Sequence, residues 1–262
     1  MTAPNEMPRL VASTAGPVGR IVFSNSRKRN ALTFEMWRNL PAAIASLDAD
    51  HAIRVLVLEG DGSDFTAGAD ISEFTNDPVR LAEFDRAVEA AYDAAPACSK
   101  PVIAKIRGVC FGGGLGLAAG CDLRFCATDS TFRMPAARLG VGYRLDGIRR
   151  FVELIGPANT ADLFFSARRI DAAEAVHMGF VSAALPSDTL DEHVAEYARI
   201  VAENAPLTVR AAKSAIRAAA HAASPQDLTA VQELIDACYA SEDYLEGQRA
   251  FLGKREPRFQ GR

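Results

Sequence analysis

An α/β fold is what this sequence predicts: a spiral of strand and helix units, then a helical C-terminal third. Two observations predict it. From Arg9 to about Ala127 short β-branched runs alternate with helical ones, and beyond about Asp146 the strand signal nearly vanishes while helical periodicity continues. In order, the spiral reads as strands over 10–13 and 19–23, a helix over about 33–47, a strand over 55–58 and a helix over about 79–94. A strand over 102–106, a short helix after a run of glycines and a strand over 123–126 complete it. The later part carries one strand-like run, 180–184, and helices over about 189–203, 206–220, 224–240 and 242–253. No linker or low-complexity stretch marks a boundary, so the change of pattern sets it: a core over residues 1–195 and a helical region over 196–262.

Local punctuation supports these elements. Asp171 before Ala172-Ala173-Glu174 is an N-cap with an acidic third residue, and Gly179 closes the same short helix where positive φ is needed. Pro206 stands at a first helical position, where its missing N–H costs nothing. The alanine-rich run from Val209 to Arg217 reads as a helix whose basic edge, with Lys213, faces solvent.

Composition removes several function classes. The 262 residues are 49% hydrophobic and 24% charged, with 29 basic against 33 acidic side chains, which suits an ordinary globular core. A net charge of -4, with no Lys/Arg run longer than Arg27-Lys28-Arg29, argues against nucleic acid as partner. Apolar stretches are broken by Gly or charge well short of the ~20 residues a membrane span needs. The first ten residues lack a signal-peptide layout, so a cytoplasmic protein is expected. The five cysteines (Cys98, Cys110, Cys121, Cys126, Cys238) form no C-x-x-C pair and sit mostly in apolar segments, as buried free thiols do. No metal site is expected.

Two glycine-bearing turns follow strands: Phe65-Thr66-Ala67-Gly68-Ala69-Asp70-Ile71, and Gly108 through Gly112-Gly113-Gly114 to Gly116. Small residues let backbone amides face a ligand, and the second turn opens a helix whose free N–H groups favour negative charge. Together the turns could form an oxyanion hole. A dinucleotide fingerprint is the rival reading, from Gly114-x-Gly116-x-x-Ala119 with Asp129 downstream. The short span from Gly114 to Gly120 leaves too little room for its crossover helix, and several strand-helix units precede it.

The turns and their flanking text resemble the crotonase (enoyl-CoA hydratase/isomerase) superfamily. The matching pieces are Arg29-Asn30-Ala31-Leu32, Phe65 to Ile71, Lys100-Pro101-Val102-Ile103-Ala104, Gly112-Gly113-Gly114 and Cys121-Asp122-Leu123-Arg124. Later come Ser166 to Ala175 with Gly179-Phe180-Val181, Ala205-Pro206-Leu207, and Glu246-Gly247 through Phe251 to Arg255. The resemblance implies a crotonase-like ββα spiral with a C-terminal helical trimerisation region, assembled as a homotrimer or a hexamer of paired trimers. It implies an acyl-CoA thioester as partner and no separate cofactor, coenzyme A being part of the substrate.

By the same resemblance, the N–H groups of Ala69 and Gly113 would hold the thioester oxygen as it becomes an enolate, with Gly114 beside them. Lys28, Arg29 and Ala31 would lie along the adenosine and pantetheine end, and Ala67, Asp70 and Ile71 around the adenine. Phe251 and Lys254 would reach coenzyme A from a neighbouring subunit. Family hydratases carry two glutamates that position and protonate water; here those positions are Gly116 and Ala136. Neither can transfer a proton, so substitutes are expected in Val141-Gly142-Tyr143-Arg144-Leu145-Asp146-Gly147. Asp146 sits beside the aspartate position of related dienoyl-CoA isomerases and is also placed to cap a helix; Tyr143 or Arg144 could donate to the substrate or orient it. His177 reads as structural or exposed, and His51, His193 and His221 as surface residues.

Overall fold

The computed structural model describes residues 7–220 and 223–262, so His221 lies outside the described residues. Strands β1 (Arg9–Ala15) and β2 (Val18–Ser24) form an antiparallel hairpin whose turn uses Gly16 at φ +56. From β2 the sheet runs in parallel through β3 (Val55–Gly60), β4 (Val102–Ile106), β6 (Leu123–Ala127) and β9 (Ala183–Leu185). Every residue of β4 and all but the last of β3 are buried, which is why both read as continuous apolar runs. A second small sheet pairs β5 (Val109–Phe111) with β7 (Thr131–Arg133) in parallel and β7 with β8 (Arg169–Asp171) antiparallel. These three strands are three residues each, too short to leave a period in the sequence.

The helices are α1 (Phe34–Ala49), α2 (Pro78–Ala97), α3 (Gly113–Gly120), α4 (Ala136–Leu139), α5 (Leu145–Ser166), α6 (Ala172–His177), α7 (Leu190–Glu203), α8 (Pro206–Ala220), α9 (Pro225–Tyr239) and α10 (Glu242–Leu252). One core lies between the main sheet and α1, α2, α3 and α5, around Trp37, Phe23, Phe65 and Phe151. On the other face Val55, Val57, Ile103 and Phe125 pack against Leu190, Val194 and Ala198 of α7. Helix α7 crosses the 195/196 line, and by its contacts it belongs to the sheet.

The Asp171 and Gly179 caps behave as the sequence reads. The Asp171 carboxylate accepts from the Glu174 N–H at 2.8 Å, Gly179 has φ +83 beyond α6, and Thr33 caps α1 through the Met36 N–H. Two expectations change. The strand-like run 180–184 gives β9 only from Ala183, because Phe180 and Val181 are consumed as buried core side chains. Lys213 is not on a solvated edge: it is buried, with Nζ 2.7 Å from Asp122 and donating to the carbonyls of Lys100 (2.9 Å) and Ala95 (3.2 Å). Of the long α5 the sequence reads only the start, near Asp146, because it is two helices joined at Gly156 (φ 75), with Pro157 opening the second. No helix among the described residues is long and apolar enough to cross a membrane.

Candidate active site

Backbone hydrogen bonds stitch the two glycine-bearing turns together. Thr66 N–H donates to Val109 C=O at 3.1 Å and Phe111 N–H to Thr66 C=O at 3.0 Å, laying the first turn alongside β5. On its other side Leu32 N–H donates to Gly68 C=O at 2.8 Å and Asp70 N–H to Leu32 C=O at 2.9 Å. These flanking bonds turn the N–H of Ala69 away from Leu32. Gly68 has φ +91, and a Cβ there would lie 2.7 Å from the Phe111 oxygen and 2.8 Å from the Gly113 nitrogen, so only glycine lets the turns meet. Gly113 is the first residue of α3, and its N–H has no intrahelical acceptor. Ala69 and Gly113 line one cleft of about 330 Å³.

Helix α2 supplies the wall opposite. A Cβ on Gly116 would lie 2.6 Å from two ring carbons of Tyr92 and 2.8 Å from its hydroxyl, so Tyr92 occupies the side-chain space of position 116. A Cβ on Gly113 would likewise meet Trp37 at 2.8 Å and the Tyr92 hydroxyl at 3.4 Å. The Tyr92 ring stands edge-on to Trp37, with centroids 5.8 Å apart, and its hydroxyl is 3.3 Å from that of Tyr143. Tyr143 rests edge-on against Phe164 at 5.2 Å. Burial pushes the Tyr92 phenol well above its ordinary range and raises Tyr143 in the same direction. Trp37 lines the cleft, and its buried indole N–H has no acceptor among the described residues. Ala136, the first residue of α4, forms part of the same wall.

Ion pairs tie α2 to the start of α5: Glu89 to Arg144 and Asp93 to Arg150, with Arg150 also donating to the Tyr92 carbonyl at 2.8 Å. Asp146 lines the cleft but is not a cap. The N-cap of α5 is Arg144, because the helix starts at Leu145 and places Asp146 in its first turn, 81% exposed and 3.3 Å from Arg149.

Of the remaining sequence-derived positions, Ala67 and Ile71 line the cleft beside Ala69. Lys28 reaches Asp70 at 2.7 Å and Ser72 Oγ at 2.8 Å, and Asp70 caps the turn Ile71–Glu73 through the Ser72 N–H. Burial alone would raise the Asp70 carboxyl, but the Lys28 and Ser72 bonds outweigh it and hold the group below the usual carboxylate range. Arg29, at φ +50, accepts the Ala67 N–H on its carbonyl at 2.9 Å, while Ala31 is buried beside it. Gly114 faces Thr66, where a Cβ would lie 2.5 Å from the Thr66 methyl, so its bareness serves packing. Phe251 and Lys254, at the end of α10, are exposed and do not line the cleft. His177 is exposed and His193 packs on Phe125 with ring centroids 4.9 Å apart, both apart from the cleft. The cleft residues that sequence reasoning missed include Tyr92, Trp37 and Glu89, with Asp85, Asp93 and Arg150 beside them. A tyrosine on the inward face of an otherwise alanine-rich helix was the one available signal.

This arrangement of a spiral sheet and two abutting amide-bearing turns has relatives. A family model describing enoyl-CoA hydratase/isomerase matches residues 13–262. The chain belongs to the enoyl-CoA hydratase/isomerase family. A peroxisomal Delta(3,5)-Delta(2,4)-dienoyl-CoA isomerase of Arabidopsis thaliana is 31% identical, covering 94% of each chain. The 2,3-dehydroadipyl-CoA hydratase of Escherichia coli is 30% identical over 98% of this chain and 100% of its own. Among solved structures, an enoyl-CoA hydratase/carnithine racemase from Magnetospirillum magneticum superposes with a TM-score of 0.90 at 32% identity, covering 98% of this chain and 97% of the other. The crotonase-type spiral and an enzyme of the hydratase/isomerase kind are therefore properties of this chain, as members of the enoyl-CoA hydratase/isomerase family have them.

Proposed function

We propose that this family member acts on an acyl-CoA thioester whose carbonyl oxygen is held between the N–H groups of Ala69 and Gly113 as it gains enolate charge. The observation that carries this reading is the stitching of the two turns, which leaves two amides on one cleft without an acceptor among the described residues. Donors fixed before reaction stabilise developing charge without reorganising, the largest single effect in many such sites. Gly116 and Ala136 stand where the family's hydratases carry glutamates, so hydration by a carboxylate pair is not the reaction. A proton shift within the acyl chain, as in double-bond isomerisation, needs fewer groups. Of the carboxylates that line the cleft, Glu89 and Asp93 are held by Arg144 and Arg150, Asp85 lies beside them on α2, and Asp146 on α5 is the one we assign to take the proton. Tyr143 orients the chain, and Arg144, held by Glu89, borders its path. Coenzyme A would run past Ala67 and Ile71 toward Lys28, Asp70, Arg29 and Ala31, with Phe251 and Lys254 supplied by a neighbouring subunit of a homotrimer or hexamer.

A thermal-shift series with crotonyl-CoA, longer enoyl-CoAs and free CoA tests the site. A ligand that binds only the folded state stabilises it, by ~2.7 kcal/mol at a hundredfold excess over Kd. Enoyl-CoAs should raise the transition more than free CoA does. No shift with any of them at millimolar concentration would overturn the assignment.

A further inference from the structure

We infer that Tyr92 is a further catalytic residue of this site: its hydroxyl, paired with that of Tyr143, delivers a proton to the acyl carbon beside the Ala69 and Gly113 amides. The inference rests on the enolate reading above and adds the group that completes the proton shift. Its basis is the packing over α3. Gly113 and Gly116 lie three residues apart on one face of that helix, and both are bare because Trp37 and Tyr92 fill the space their side chains would take. The Tyr92 oxygen is thereby set 2.8 Å from a Cβ position at Gly116 and 3.4 Å from one at Gly113, at the first turn whose amide faces the cleft. Ring packing against Trp37 fixes the side chain, and Arg150 holds the backbone carbonyl of the same residue.

Two hydroxyls 3.3 Å apart share a single hydrogen between them. When Tyr143 donates to Tyr92, the Tyr92 hydrogen is free for the cleft. Burial keeps both phenols neutral at neutral pH, so the pair acts there as donor and not as base. In the step itself the enolate electrons form a C–H bond at Cα while the Tyr92 O–H bond breaks, the thioester carbonyl re-forms, and the electron pair remains on the phenolate oxygen. Tyr143 then passes its proton to Tyr92 and is reprotonated from solvent.

Proton transfer at Cα can be read without the natural substrate, as exchange of the α-hydrogens of butyryl-CoA in D2O followed by mass spectrometry. Exchange runs the step in reverse and needs the phenolate, so with a raised phenol the wild-type rate should climb with pH beyond about 10. Tyr92→Phe should lower the rate at least ~100-fold, with butyryl-CoA binding changed less than about twofold; Tyr143→Phe should lower it less, because the Tyr92 oxygen remains. Difluorotyrosine at position 92, which lowers the phenol pKa without changing its shape, should move the rise to lower pH, and this variant serves if Tyr92→Phe does not fold. Exchange within threefold of wild type in Tyr92→Phe, an unmoved profile with difluorotyrosine, or butyryl-CoA binding without any wild-type exchange would each overturn the role of Tyr92. Absence of butyryl-CoA binding would instead remove the acyl-CoA reading together with it.

Discussion

At Asp146 a carboxylate in the first turn of α5 faces the cleft while its exposed side chain pairs with Arg149. A first-turn carboxylate and an exposed pair together stabilise by under about 1 kcal/mol. Asp146→Asn should therefore barely move the unfolding midpoint, yet lower turnover by ~10²-fold or more if the carboxylate takes the substrate proton. Unchanged turnover in the folded variant would leave Asp146 a helix-end charge only. Position 116 makes the opposite point. Adding Glu there drives a Cβ to within 2.6 Å of the Tyr92 ring, and overpacking of this kind costs ~1–3 kcal/mol. Gly116→Glu with Ala136→Glu should be less stable and gain no crotonyl-CoA hydration, whereas adding Tyr92→Ala should relieve the clash and let hydration appear. A gain in the double variant alone, measured as loss of enoyl absorbance, would contradict this account of the wall.

Among the elements, α8 is the one whose attachment the sequence misreads. Alanines and spaced basic residues look like a solvated face, but Lys213 turns inward to Asp122 and two carbonyl oxygens. The buried ammonium closes backbone acceptors at the end of α2 and before β4, so it acts as a clasp between the helical third and the sheet. Lys213→Ala strips those acceptors and leaves Asp122 without its cation, a change expected to cost ~2–4 kcal/mol. Urea denaturation with Lys213→Ala beside the exposed control Arg210→Ala measures it; equal midpoints for the two would mean that α8 is held by apolar packing alone. The three short strands of the second sheet differ again. The alternation in Thr131-Phe132-Arg133 and Arg169-Ile170-Asp171 is too short to read as a strand, and these residues are strands because β7 has β5 on one side and β8 on the other.

For the whole molecule, the single chain leaves large apolar side chains uncovered at its end. On α10, Phe251 is 84% and Leu252 82% exposed, with Leu245 exposed on the same helix. Apolar groups concentrated on one short helix are expected to be covered in an assembly. Light scattering should give a multiple of three subunits, and Phe251→Asp should shift it toward smaller species. A stable monomer in the wild type would count against both the trimer and the reach of Lys254 into a neighbouring site.

What the sequence by itself determined were the features written in adjacent residues. The buried runs of β3 and β4, the caps at Thr33 and Asp171, the positive-φ Gly179 and the two turns with Gly68 and Gly113 are each dictated by a side chain or by its absence within a few positions. Their joint order was enough to identify the family, and Gly116 and Ala136 could be read directly as positions without carboxylates. Only the tertiary structure decided what fills that gap. Tyr92 reaches Gly116 from a helix one strand-helix unit earlier, and Tyr143 reaches Tyr92 from the loop before α5. The same holds for Asp146, whose place relative to the cap depends on where packing starts α5, and for Lys213, which is buried because α8 lies over Asp122. Local rules set a residue's conformation, but which side chains share one space follows from how the layers close, because burial and steric exclusion act between segments distant in the chain.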